Sequence, residues 1–281
     1  MAPDLDDPQI HAALAAHLAI PPLDSARAGA LRRGLLDRAH HSAVAHREYS
    51  TVRIEDVAWQ PVAPGVTGRL LRGDASTRVE VLRLVSGATL PWPEDAHAQE
   101  ILVLQGALAA PGAAASCTGV PGAVGYCVRQ RQLLGEPLLA LADATVYVRH
   151  LLAERTSLPD LEARWWEQAC ASTAWVDPGR RRWRESSAGV DVLPLRGDSD
   201  VVSMLVRFAA GASVPDHAHA LDEDCLVLQG EMFLGDILLR TGDYQLAPAG
   251  GSHFGETSDV GVLFFFHGAL DPVLKGQGAA Q

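Results

Sequence analysis

Cysteine is scarce in this chain: four residues in 281, Cys117, Cys127, Cys170 and Cys225, with no CxxC spacing. A disulfide framework is therefore not expected, and a reducing cytoplasm is the expected location. Positive charge is also in deficit, with 23 Lys and Arg against 34 Asp and Glu and a net charge of -11. That balance argues against nucleic acid, whose phosphates need a basic face, and against an anionic membrane surface; solubility accounts for it. Aromatic residues make up only 6% of the chain, so Leu, Val and Ala must supply much of the packing. No apolar run approaches the ~18–20 residues of a membrane helix. The first ten residues carry Asp4, Asp6 and Asp7 but neither Lys nor Arg, the wrong charge for a signal peptide. There is no P-loop, no dinucleotide fingerprint and no GxSxG elbow.

What the chain does have is an internal repeat. Trp59–Gly106 matches Trp183–Gly230 without a gap at a constant offset of 124, with 17 of 48 positions identical, too many for chance at fixed register. Both copies contain Leu-Arg-Gly-Asp (Leu71 to Asp74, Leu195 to Asp198), Gly-Ala-x-x-Pro and a closing Leu-Val-Leu-Gln-Gly. Short runs rich in β-formers and bounded by Gly, Pro or Asp, such as Val201–Phe208, recur through both copies. The expected fold is all-β, two jelly-roll β-barrels in tandem at 46–155 and 172–275. Leu158–Ala171 has helical spacing, so residues 156–171 read as a connecting helix. Residues 1–45 read as a short helical segment, Pro8–Leu18 and Ser25–His40 separated by Pro21-Pro22, with Asp24 or Ser25 as cap. These helices are expected either to pack on the first barrel or to mediate self-association as a homodimer.

The chemistry sits in the second copy. Gly211 is followed after five residues by His217-Ala-His219, after three more by Glu223, and after six more by Gly230. Gly242 is then followed by Pro248-Ala-Gly250 and His253. Side chains alternate faces along a strand, so His217, His219 and Glu223 share one face if strand geometry holds between them. The Pro-x-Gly turn can return a later strand and set His253 opposite. Three imidazoles and one carboxylate suit one divalent ion per chain, Zn or Fe(II) first, with Mn, Ni or Cu also accommodated.

GASVPDHAHALDEDCLVLQG and GDYQLAPAGGSH resemble the two motifs of the cupin superfamily, with Thr257 standing where Asn is frequent. The Gly-Ala-Ser-Val-Pro lead-in and the GxYxxxPxGxxH run are most similar to the cupin domain of ChrR-type anti-sigma factors. The resemblance implies a bicupin, His217, His219, Glu223 and His253 as metal ligands, and zinc as the metal of the type member. Two functions follow. One is a metal-dependent dioxygenase-type enzyme acting on a small diketone or aromatic ketone. The other is a regulatory sensor whose partner is a sigma factor. Against the second, residues 1–50 hold no cysteine, whereas those anti-sigma factors carry an N-terminal HxxxCxxC motif.

In the first copy the ligand positions fall on Pro93, Asp95 and Gln99, and matching Tyr126 to Tyr244 puts Gly135 opposite His253. That barrel is expected to be structural; a displaced site would have to use His97 and Glu100. In the second copy Cys225, two positions after Glu223, is expected to face inward, as a small buried thiol or a redox-sensitive neighbour of the metal. Tyr244, Phe233 and Phe254 are candidate pocket walls. His267 is a core histidine or, if it points inward, a proton shuttle. The Gly- and Ala-rich stretch Gly112–Gly125 reads as a surface loop.

Overall fold

A computed structural model describes residues 24–110, 116–119, 125–131, 137–171, 175–197 and 200–270. The chain divides into two compact units, Met1–Arg47 and Glu48–Gln281. In the first unit, helix α1 (Ser25–Ala45) runs five residues beyond the expected end. Its cap is Asp24, whose side chain accepts from the Arg27 amide at 2.7 Å. The expected helix at Pro8–Leu18 lies outside the described residues.

The second unit holds both barrels. Preceding the first is β1 (Ser50–Val52); the barrel itself comprises β2 (Gln60–Ala63), β3 (Val66–Gly73), β4 (Thr77–Leu84), β5 (Ala98–Ala109), β6 (Ser116–Gly119), β7 (Gly125–Gln130) and β8 (Leu139–Leu151). Helix α2 (Asp160–Cys170) follows. The second barrel comprises β9 (Arg184–Ser187), β10 (Val190–Gly197), β11 (Val201–Phe208), β12 (Ala212–Ser213), β13 (His217–Ala218), β14 (Glu223–Leu234), β15 (Ile237–Arg240), β16 (Tyr244–Ala247), β17 (Ser252–His253), β18 (Thr257–Ser258) and β19 (Val262–Ala269). Every pairing among the described residues is antiparallel, with sheet orders β2-β3-β4-β8-β5-β6 and β1-β16-β14-β19-β11-β10-β9. β6 lies within the stretch read from sequence as a loop; it pairs with β5 from Gly106 to Ala109, so part of that stretch is a strand.

The barrels exchange strands. β1 precedes the first barrel yet pairs with β16 of the second, Val52 opposite Tyr244. Val176, 124 residues after Val52, precedes the second barrel and bridges to Tyr126 on β7 of the first. Each barrel thus completes the wall of the other, an arrangement that a boundary drawn at residue 46 does not anticipate. Backbone groups on a sheet edge need partners that residues near in sequence do not supply here.

The repeat's shared residues have structural work. The glycine ending Leu-Val-Leu-Gln-Gly adopts φ +82 at Gly106 and φ +79 at Gly230, where a Cβ would stand 2.2 Å from a backbone carbonyl in both copies. Only glycine fits. Arg83 lies over the Trp59 ring at 4.0 Å and Arg207 over the Trp183 ring at 4.6 Å, the same cation–π contact twice.

Strand alternation divides the core. On β11, Val202, Met204, Val206 and Phe208 face the interior of the second barrel. Val201 and Leu205 face the first barrel, in a cluster with Tyr147, Trp165, Trp166 and Phe265. Within this apolar interface lies a buried ionic network. Arg149 donates from Nε to Glu100 at 2.8 Å and from Nη1 to Glu162 on α2 at 2.9 Å. Its Nη2 is 3.1 Å from His267 Nδ1. A guanidinium can only donate, so Nδ1 accepts and Nε2 carries its hydrogen toward Glu162, 3.3 Å away. His267 therefore belongs to the inter-barrel core and not to the interior of the second barrel. Tyr126 donates to Glu100, and its counterpart Tyr244 donates to Asp224, so Tyr244 is a second interface residue and not a pocket wall.

Burial alone would raise the carboxyls of Glu100 and Glu162, but the Arg149 guanidinium, with hydrogen bonds from Tyr126 to Glu100 and from His267 to Glu162, outweighs it and holds both below the usual range. Their contribution to stability is present above the unfolded value of about 4.3 and is lost as pH falls through the lower folded values. Removing Arg149 would leave two buried carboxylates without their cation. Arg149→Met is expected to cost about 3–5 kcal/mol in denaturant unfolding. Arg207→Met, which removes a half-exposed ion pair with Asp191, should cost less. Equal losses would show that burial does not set the strength of the Arg149 network.

Candidate metal centre

β13 and β17 form a two-stranded ribbon in which His217 and His253 are direct cross-strand partners. Partners in such a ribbon carry side chains on the same face, and the two rings lie 5.3 Å apart. Glu223 opens β14 opposite Ala247, and its carboxylate is 3.2 Å from His253 Nε2. One ligand-type atom from each of His217, Glu223 and His253 falls within 4.8 Å of the others. A bend at Ala220 and Leu221 separates β13 from β14, so one continuous strand does not carry His217, His219 and Glu223.

His219 lies beside this cluster. Its ring is 5.2 Å from that of His253, although its nitrogens fall outside the group of three. The His219 Nδ1 sits 3.0 Å from the Leu221 carbonyl, which fixes the hydrogen there and leaves Nε2 with the lone pair. That Nε2 is buried with no hydrogen-bond partner. The His217 Nδ1 is likewise held at 3.0 Å by the Pro215 carbonyl. Burial lowers the pKa of His219, favouring the neutral imidazole that ligates metals. Two histidines with Nδ1 anchored on carbonyls, a buried Nε2 without a partner and a buried carboxylate together fit a divalent cation.

Space for the Glu223 side chain comes from Gly268. A Cβ there would stand 2.7 Å from Glu223 Cγ. The first barrel shows the alternative. Its counterparts of Glu223 and Gly268 are Gln99 and His150 (paired in the same register on β5 and β8), and with Glu80 they fill the interior. His150 lies 3.4 Å from both Gln99 and Glu80, and Glu80 pairs with Arg78 at 2.8 Å. His97 is turned toward Glu154 at 3.7 Å, and Glu100 faces Arg149, so the residues of a displaced site are not brought together. Gly135 lies outside the described residues.

A cavity of about 570 Å³ reaches from this cluster into the second barrel. His217, Glu223 and His253 line it, as does Cys225, whose thiol burial pushes well above its usual range. Phe233 and Phe254 do not line it, and Phe254 is exposed. Two polar cavity residues had no sequence signal. Gln245 donates through Nε2 to Thr51 at 3.0 Å, and its Oε1 is buried without a partner. Glu256 is pushed up to about 7 by burial. Tyr49 was equally invisible. Placed by the exchanged strand β1, it donates to the Ser252 carbonyl at 2.8 Å and meets the rings of His253 and His219 edge-on at 5.6 and 6.5 Å.

The family model of the ChrR cupin-like domain matches residues 171–271. The second barrel is a cupin. Among solved structures, the tandem resembles a "putative dioxygenase" from Nostoc punctiforme (14% identity, 79% of this chain and 82% of that one, TM-score 0.57). It also resembles the protein Ylba from E. coli (14% identity, 80% and 92% covered, TM-score 0.57). A third likeness is a variant of Bacillus subtilis oxalate decarboxylase (14% identity, 79% and 77% covered, TM-score 0.53). These likenesses extend the cupin fold to both barrels. A search of the curated proteins finds no match. No helix among the described residues is long and apolar enough to cross a membrane.

The steric role of Gly268 can be tested without metal. Gly268→Ala must displace Glu223, and overpacking of this kind costs about 1–3 kcal/mol. A thermal melt of the metal-free variant should show the loss; a melt equal to that of the unaltered cupin pair would show that Glu223 moves aside freely.

Proposed function

We propose that the second cupin binds one divalent metal ion through His217, His219, Glu223 and His253, and that the protein is a metal-dependent dioxygenase-type enzyme acting on a small molecule. The observation that carries this reading is the ligand cluster at the end of a cavity in the barrel, three ligand-type residues within 4.8 Å with His219 Nε2 buried beside them. A structural zinc site is usually closed by four protein ligands, most often thiolates, and needs no adjoining cavity. Iron or zinc suits the donor set best. Bound there, the metal would supply a Lewis acid and, as iron, access to dioxygen chemistry.

The chain's own residues do the rest. Carbonyls of Pro215 and Leu221 orient two imidazoles, and Tyr49 fixes the Ser252 carbonyl next to His253. Glu256, with its carboxyl raised to about 7, can hold or release a proton at a cavity wall near neutral pH. A net charge of -11 favours neither nucleic acid nor an anionic surface as partner. The three free cysteines among the described residues agree with a reducing, cytoplasmic setting.

The match to the ChrR cupin-like domain favours a second reading, a sensor whose cupin controls a contact with a sigma factor. One experiment separates the two. Protein loaded with Fe(II) is expected to consume oxygen in the presence of a diketone or hydroxyaryl ketone, and His219→Ala should abolish most of that uptake. No turnover with Fe, Mn, Ni or Zn, together with recovery of a sigma factor in a pull-down, would replace the enzyme by the sensor.

A further inference from the structure

The register of the second barrel orders the cavity walls into rows. At the level of Glu223 the neighbours across the sheet are Gly268 and Val202 on one side and Ala247 on the other. Two residues deeper along β14 come Cys225, Phe266, Met204 and Gln245. Two deeper again come Phe264, Val206 and Val192, with Val227 opposite Phe264 packed in the core. From Glu223 to Val227 the strand descends about 13 Å. Below the ligand cluster these rows are apolar but for Gln245, whose Oε1 is without a partner; elsewhere the cavity wall adds one buried carboxyl, that of Glu256.

The equivalent rows of the first barrel are different. Arg78 and Glu80 stand where the second has Val202 and Met204, and His150 where it has Gly268. The deeper rows there carry Ile101, Leu82, Val146 and Val148, packed into one cluster. Where the first barrel pairs Glu80 with Arg78 and His150, the second has aliphatic and aromatic walls around an open volume on the same scaffold. That volume, about 570 Å³, falls within the range for drug-sized ligands and is far larger than a compact diacid or a five-carbon diketone requires. A polar ligand filling it would leave most of its polar atoms without partners.

We infer that the ligand of the second barrel is an uncharged amphiphile: a chelating pair of oxygens at the His217–Glu223–His253 end, and a linear apolar tail running down past Met204 and Phe266 to Val206 and Phe264. The inference rests on the metal-site reading for its head group alone; the tail rests on the walls. Exposed Arg184 and Glu185 of the edge strand β9 border the same cavity, with Arg184 opposite Val192 at the deepest row. They place solvent at the far end of the tail.

The test uses the full chain loaded with Zn(II), which binds chelators without turnover. Acetylacetone and homologues with one alkyl arm lengthened stepwise are titrated by calorimetry, and the zinc content of each sample is measured. Affinity should rise about fourfold per buried methylene and level off once the tail fills the cavity. Met204→Trp, which narrows the second row, should bring the plateau to a shorter arm. Zinc content reports on the head-group reading separately. Zinc-loaded protein that binds every homologue with equal affinity would overturn the amphiphile, as would affinity that falls with chain length.

Discussion

The backbone pairing of β1 with β16 is the constraint on which the rest of this molecule depends. It ties a strand that precedes the first barrel to the wall of the second, and β16 in turn lies beside β14, which begins at Glu223. The bridge of Val176 to Tyr126 does the same in the opposite direction. Two barrels joined this way do not offer independent edges, and the cost of leaving either edge unpaired falls on both. The surface between them can therefore hold Arg149, Glu100, Glu162 and His267 away from water, because every charge meets an opposite charge or a hydrogen-bond partner. A buried network of this kind is weak evidence for net stability. It would, however, penalise any shift of one barrel against the other that separated its partners.

The same constraint links the leading segment of the second unit to the chemistry. Tyr49 reaches the histidines only because β1 is anchored on β16. The first barrel, without a ligand cluster among its described residues, is accordingly more than a relic: its leading segment supplies part of the second barrel's site. Among the many positions at which the two copies differ, those of the interior rows decide what each barrel holds. Where the first fills its centre with Glu80, Gln99 and His150, the second has a glycine, largely apolar walls and open volume. One scaffold serves as a packed support and as a chamber, depending on a handful of inward-facing positions.

Much of this was legible in the sequence. The gapless repeat announced two copies of one β fold, because strand-rich segments recurring at a fixed offset admit few other architectures. The spacing of His217, His219, Glu223 and His253 singled out four residues, of which the structure brings His217, Glu223 and His253 within 4.8 Å and sets His219 beside them. What was not legible involved contacts distant in sequence. Strand exchange leaves no local trace, so Tyr49 carried no signal. Tyr244 reads from sequence as a pocket wall, and His267 as a core histidine or an inward proton shuttle; only the pairing register showed that both face the other barrel. Glu256 and Gln245 were ordinary polar residues until the cavity was seen.

The central proposal is that the second barrel holds a metal ion and the first does not. Elemental analysis of the full chain purified without chelator, set beside a His253→Ala variant, tests it most directly. The account predicts close to one equivalent of a divalent transition metal in the first sample and little in the second. Two equivalents, or one that survives the loss of His253, would contradict it.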